Sequence, residues 1–120
     1  MNHQYLSFEK INNLSDWWLE NSKSRNVEIA ALEPLIWKSG DNNIIDVVRI
    51  FKEKGFSVSM TSNGAYLKKY AKLLKEAELD LLRVSWHSMD EEIYKKVTGG
   101  GKLHKLLDGL AEASLYNLNI

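Results

Sequence analysis

The sequence predicts an α/β fold with a parallel sheet of about four strands, roughly half of a (β/α) TIM-like barrel. Three observations predict it. Short apolar runs of strand type are each followed by an apolar stripe at helical spacing, three times in order. Equivalent positions of successive strands, Val27, Ser57, Leu82 and Leu118, lie 30, 25 and 36 residues apart, the size of a βα unit in a parallel sheet. A complete eight-unit barrel takes about 250 residues, about twice the length of this chain. The chain opens on a helix with no strand before it and ends as a strand begins, so residues 1–120 are expected to form one domain truncated at both ends.

The first helix spans about 7–22. Phe8, Ile11, Leu14 and Trp18 recur three or four apart on one face, and Ser7 supplies an N-cap oxygen. Asn26-Val27-Glu28-Ile29-Ala30-Ala31-Leu32 follows as a strand, stopped at Glu33-Pro34 because proline has no amide to give a central ladder. Beyond the loop Ser39-Gly40-Asp41, Ile44, Val47, Val48 and Phe51 fall at i, i+3, i+4 and i+7, a helix closed by Lys54-Gly55. Phe56-Ser57-Val58-Ser59-Met60 alternates as the second strand. Thr61-Ser62-Asn63-Gly64 is a polar loop, and Leu67, Tyr70, Ala71, Leu74 and Ala77 carry the next helical stripe. The third strand is Leu81–Trp86, and Ser88-Met89-Asp90-Glu91 forms a capping box before a helix begun by Ile93 and Val97. Gly99-Gly100-Gly101 breaks that helix, and Leu103, Leu106, Leu107 and Leu110 resume it. Leu118-Asn119-Ile120 opens a fourth strand.

Composition narrows the function. Lys and Arg number 16 and Asp and Glu 16, so the formal charge is zero, which argues against nucleic acid as the main partner. With no cysteine, the chain can form no disulfide, thiolate zinc site or cysteine-held iron–sulfur cluster. No apolar run approaches the roughly 20 residues that span a bilayer, and the start lacks an apolar signal segment, so the expected location is the cytoplasm, with no membrane partner. His3, His87 and His104 lack metal-ligand spacing, so no metal ligand is expected. Gly99-Gly100-Gly101 follows no strand and lacks the Gly-x-x-x-x-Gly-Lys-Ser/Thr arrangement of a phosphate loop, so a flexible break between two helical pieces is expected.

In parallel α/β folds, ligands bind at the carboxyl ends of strands. Those ends carry Glu33, then Thr61 with Asn63, then Ser85 with His87, a convergent polar rim. Each residue alone also has a structural explanation: Asn63-Gly64 is a common turn, Ser88 is a cap, and Glu33 can simply end a strand.

The ordered set of segments resembles the radical S-adenosylmethionine (radical SAM) superfamily, nearest to the molybdenum cofactor biosynthesis protein A-like members. Leu6-Ser7-Phe8-Glu9-Lys10-Ile11 is similar to the helix after that family's cluster loop, and Glu33-Pro34-Leu35-Ile36 to the end of its Gly-Gly-Glu-Pro segment. Thr61-Ser62-Asn63-Gly64 is similar to its Thr-Thr-Asn-Gly strand end, and Val84-Ser85-Trp86-His87-Ser88-Met89-Asp90 to its Val-Ser-Leu-Asp-Ser-Leu-Asp. Tyr94 to Leu103 continues the likeness through the glycine break. The resemblance implies a partial barrel that holds S-adenosylmethionine and a [4Fe–4S] cluster at its top and cleaves the former to a 5′-deoxyadenosyl radical. It also implies cofactor-binding roles. Ala31, Leu32, Glu33 and Pro34 would hold the methionine amino group through backbone carbonyls, Thr61 and Ser85 would contact its carboxylate or the ribose, and Asn63 and His87 would lie beside them. No catalytic residue is assigned.

Two departures qualify these expectations. The family's Cys-x-x-x-Cys-x-x-Cys loop is absent, so the cluster is expected only in a longer parent chain, and this chain alone is expected to be inactive. Ala31 and Leu32 stand where the family has two glycines, and side chains there crowd a close backbone approach, so S-adenosylmethionine is expected to bind weakly or not at all. The alternative is a cluster-less half-barrel that binds a nucleotide-like ligand or assembles with a partner protein. Either way, exposed strand edges are expected to recruit a second copy or the missing barrel segment.

Overall fold

The computed structural model describes residues 6–30, 33–86 and 89–120. Helix α1 (Phe8–Asn21) begins as predicted, with Ser7 Oγ accepting the Lys10 amide at 3.2 Å. Its end is held from outside the helix, for the Arg25 guanidinium donates to the carbonyls of Leu19, Ser22 and Ser24 at 3.2, 2.6 and 2.9 Å. Strand β1 (Asn26–Ile29) follows and is shorter than predicted; Ala31 and Leu32 lie outside the described residues.

Between β1 and the next helix the chain makes two small elements that the sequence did not announce. Pro34–Ile36 is a single 3-10 turn, with proline at its start where a missing amide costs nothing. Lys38–Ser39 (β2) and Asn42–Asn43 (β3) form an antiparallel hairpin whose Gly40 takes φ +59°. Ser39 Oγ accepts the Phe8 amide at 3.0 Å and Leu6 O accepts the Trp37 indole N–H at 3.2 Å, so the hairpin ties down the start of α1.

Helix α2 (Ile44–Glu53) has a reciprocal cap: Asn43 Oδ1 accepts the Ile45 amide and Asp46 Oδ2 the Asn43 amide, both at 2.9 Å. Strand β4 (Ser57–Ser62) leads to α3 (Leu67–Glu76), and β5 (Leu81–Val84) is followed by α4 (Glu91–Val97) and α5 (Leu103–Leu115). Asp90, not Ser88, is the cap of α4: its Oδ1 accepts the amides of Glu92 and Ile93 at 3.0 Å, while Ser88 lies outside the described residues. The glycine break falls where predicted, with Gly99 and Gly100 at φ +68° and +109°.

The sheet has three parallel strands, in order β1-β4-β5, rather than about four. The predicted fourth strand contributes one ladder bond, the Leu82 amide to Asn119 O at 2.9 Å, and Asn119 Nδ2 reaches Asp80 O at 2.8 Å. Three residues at 118–120 are too few to propagate the pairing. The parallel α/β arrangement of the prediction is present; the chain by itself forms an open layer rather than a closed barrel.

Alternation on β4 decides which side is covered. Val58, Met60 and Ser62 point into the helices and are buried, as are Leu82 on β5 and the Val48, Leu67, Leu74 and Ala113 side chains that meet them. Trp18, Phe51 and Phe56 lock α1 to this layer edge-to-face, with centroids 5.1–6.4 Å apart. Ser57, Ser59 and Thr61 point the other way, with Glu28 in register with Ser59 and Arg83 with Thr61, and that face is exposed or half-buried.

Candidate functional site

At the carboxyl ends of the strands, one buried carboxylate organises the loops. Glu33, 7% exposed, caps the 3-10 turn by accepting the Leu35 amide at 2.9 Å. The same carboxylate accepts the Asn63 amide at 2.7 Å and the Ser62 hydroxyl, which lies 3.0 and 3.1 Å from its two oxygens. Ser62 Oγ in turn accepts the Gly64 amide at 3.0 Å, and Asn63 Oδ1 the Ala65 amide at 2.9 Å. A buried acceptor with this many donors is satisfied, so the Glu33 side chain joins the ends of β1 and β4 rather than facing a ligand.

The other rim residues divide by the direction the pleat gives them. Pro34 is buried and opens the 3-10 turn. Thr61 points to the open face, where its hydroxyl donates to Glu28 Oε1 at 3.2 Å. Ser85 is half-buried and its amide donates to Ser62 O at 2.9 Å, carrying the β4–β5 ladder past the last strand residue. Among the described residues, Ser85 Oγ and Asn63 Nδ2 have no protein partner and are the groups at this rim left for a polar ligand. Ala31, Leu32 and His87, the remaining predicted site residues, lie outside the described residues.

Gly64 is required by its surroundings. It adopts φ +78°, and a Cβ there would strike the Leu106 side chain. Its carbonyl starts α3 by accepting the Leu67 amide at 3.2 Å.

Three participants escaped the sequence reading. Ser62 sits between the two singled-out residues Thr61 and Asn63, and the alternation of β4 already placed it on the Met60 side. Glu28 and Arg83, joined at 2.7 Å, are 55 residues apart, and only the register of β1, β4 and β5 brings them together.

The implied cofactors fit unequally. A thiolate-held iron–sulfur cluster has no ligand here, since the chain contains no cysteine, and no group of three or more metal-binding side chains exists among the described residues. At the polar rim, the Ser85 hydroxyl and the Asn63 side-chain amide are the groups without a protein partner among the described residues. No helix among the described residues is long and apolar enough to cross a membrane.

Residues 2–120 match the family model described as the Radical SAM superfamily. The chain is 44% identical over 90 residues to a GTP 3′,8-cyclase of Limosilactobacillus fermentum, covering 73% of this chain and 26% of that protein. It is 38% identical over 92 residues to a probable GTP 3′,8-cyclase of Thermococcus kodakarensis, covering 77% of this chain and 29% of the relative. A probable GTP 3′,8-cyclase of Sulfolobus acidocaldarius is 38% identical over 95 residues, or 78% of this chain and 29% of that one. The chain thus spans under a third of the length of these relatives. Since the family match runs over nearly the whole sequence and the strand ends carry its polar segments in order, the chain belongs to the radical SAM superfamily.

Proposed function

We propose that this chain forms part of the S-adenosylmethionine-binding wall of a radical SAM enzyme, with the [4Fe–4S] cluster held by cysteines outside these 120 residues. The observation that carries the reading is the Glu33-centred network, which fixes the ends of β1 and β4 beside Asn63 Nδ2 and Ser85 Oγ. When bound to thiolates elsewhere, a cluster would supply the reducing electron for radical formation. The chain's own residues orient the cofactor: the loop from Ala31 to Pro34 offers backbone carbonyls to an ammonium, and Asn63 and Ser85 offer donors to a carboxylate or a ribose hydroxyl. Alone, the chain is inactive in this chemistry. Its lack of thiolates also supports a second reading, a cluster-less module that keeps the half-barrel for binding or assembly.

An NMR titration of the 15N-labelled chain with S-adenosylmethionine tests the reading. Millimolar cofactor is expected to shift the amides of Asn63, Gly64 and Ser85, and Leu32→Gly is expected to tighten binding by removing the crowding side chain. Absence of any shift at these amides in both proteins overturns it.

A further inference from the structure

The open face of the sheet carries a charge arrangement that the strand-end network does not use. Arg83 on β5 reaches across β4 to Glu28 on β1, with Nη1 2.7 Å from Glu28 Oε1 and 3.3 Å from Ser59 Oγ. Thr61 Oγ1 donates to the same Glu28 oxygen at 3.2 Å. One carboxylate oxygen therefore receives both donors. Among the described residues, Glu28 Oε2 and the Nε and Nη2 groups of Arg83 take no partner. Both side chains are about half exposed, at 50% and 52%, and they border a cavity of about 420 Å³ lined also by Asn26, Ser57, Ser59 and Asp80.

An exposed ion pair adds little to stability, so holding the fold together is a weak reason for a pair that spans the sheet. Its effect on a ligand is larger. The arginine is neutralised by its neighbour, so this face presents a free acceptor and a free forked donor side by side, with no net charge. We propose that the face binds a zwitterionic group, such as an amino acid or a peptide end presents: an ammonium against Glu28 Oε2 and a carboxylate against the Nε–Nη2 edge of Arg83. Polyanions are rejected, because the Glu28 carboxylate repels them where a nucleoside triphosphate would need uncompensated cations. The proposal concerns the substrate, not the cofactor. It rests on the reading above in taking the chain as part of an enzyme's ligand-binding wall; the cavity itself lies toward the amino ends of the strands, where Asn26, Ser57 and Asp80 stand, away from the cofactor rim.

The test is a pair of NMR titrations of the 15N-labelled chain at matched ionic strength, one with glycylglycine and one with inorganic triphosphate. The dipeptide is expected to shift the amides of Ser59, Thr61 and Arg83, and triphosphate to leave them in place. Arg83→Gln is expected to weaken the dipeptide effect at least tenfold. Glu28→Gln is expected to weaken it likewise and to admit triphosphate at the same amides. Triphosphate shifting these amides in the unaltered chain as strongly as the dipeptide overturns the proposal, as does a dipeptide that shifts none of them. The S-adenosylmethionine response at Gly64 and Ser85 is read separately, so a failed cofactor reading with intact dipeptide signals is distinguishable from failure of the inference.

Discussion

The amide of Asn63 donates to Glu33 Oε1 at 2.7 Å, and this bond joins two loops that leave different strands of the sheet. A carboxylate taken from water costs several kcal/mol unless donors replace the lost hydration. Here the amides of Leu35 and Asn63 and the Ser62 hydroxyl do so. The glutamate that the family resemblance marks as a binding segment is thus also the fastener of the rim.

Glu33→Ala leaves those donors buried without an acceptor, and the expected cost is about 3 kcal/mol of unfolding free energy. Glu33→Gln keeps one acceptor oxygen but brings an amide donor among donors, with an expected loss of about 1–2 kcal/mol. Urea unfolding followed by circular dichroism measures both. A loss under about 0.5 kcal/mol for the alanine variant, the range of an ordinary surface change, would refute the fastening role.

Gly109 on α5 presents two opposing effects of known sign. Alanine in place of a helical glycine gains about 1 kcal/mol of propensity. A Cβ at 109, however, would lie 2.8 Å from both Gly64 O and Leu67 Cβ, so α5 must move away from the start of α3. Overpacking of this kind costs about 1–3 kcal/mol, and backbone cannot yield as a flexible side chain can. Gly109→Ala is therefore expected to lower the thermal midpoint, and a raised midpoint would show that the two helices separate freely.

Glu78 presents the reverse case. It follows the end of α3 at φ +65°, and the Leu79 amide returns to Leu74 O at 3.1 Å, a helix stop in which glycine usually holds the left-handed position. Glu78→Gly is expected to stabilise the chain by about 1 kcal/mol, since glycine is free of the left-handed penalty. Chemical denaturation that shows no gain would place the cost in the unfolded state instead.

Much of this architecture was legible because period reports burial. Ile44, Val47, Val48 and Phe51 repeat over eight of the ten residues of α2, and all four are buried. The 3-10 turn and the β2–β3 hairpin occupy three and six residues, too short for any period, and tertiary bonds such as Phe8 N to Ser39 Oγ hold them. The rim was legible as a location and not as a division of labour. Which of Thr61, Ser62 and Asn63 turns inward depends on where β4 ends, and the strand runs two residues further than the apolar alternation alone indicated. The Glu28–Arg83 pair was invisible because strand register, not sequence proximity, creates it.

Asp80 makes stability depend on pH at the opposite end of the strands. Burial raises its pKa, but hydrogen bonds from Lys52 at 2.9 Å and the Val58 amide at 2.7 Å, with the charge of Lys52, outweigh burial and leave it below 3.8. A folded-state value below the unfolded one means that the ionised group stabilises the fold above about pH 4, and that this stability is lost as pH falls through the lowered value. The carboxylate side chain is 41% exposed, so the amount is modest, under about 1 kcal/mol. Asp80→Asn is expected to lower stability at neutral pH and to flatten its decline in acid. Parallel acid titrations of the two proteins would contradict the assignment.

The last expectation concerns association. The edge of β1 away from β4 pairs with no strand among the described residues, and an apolar groove of about 420 Å³ runs beside it, lined by Leu14, Trp18, Val27, Ile29, Trp37 and Phe51. A free parallel edge next to apolar side chains favours addition of another strand. The other edge, at β5, is partly occupied by the bond from Leu82 to Asn119. The isolated chain is therefore expected to self-associate as its concentration rises, chiefly through β1. Sedimentation equilibrium from micromolar to millimolar chain measures this, with Glu28→Pro as the control, since the backbone of Glu28 faces away from β4 and its loss as an edge donor is expected to weaken association. A monomer throughout that range would show that α1 and the groove shield the edge without help, and would count against a seat for a further strand.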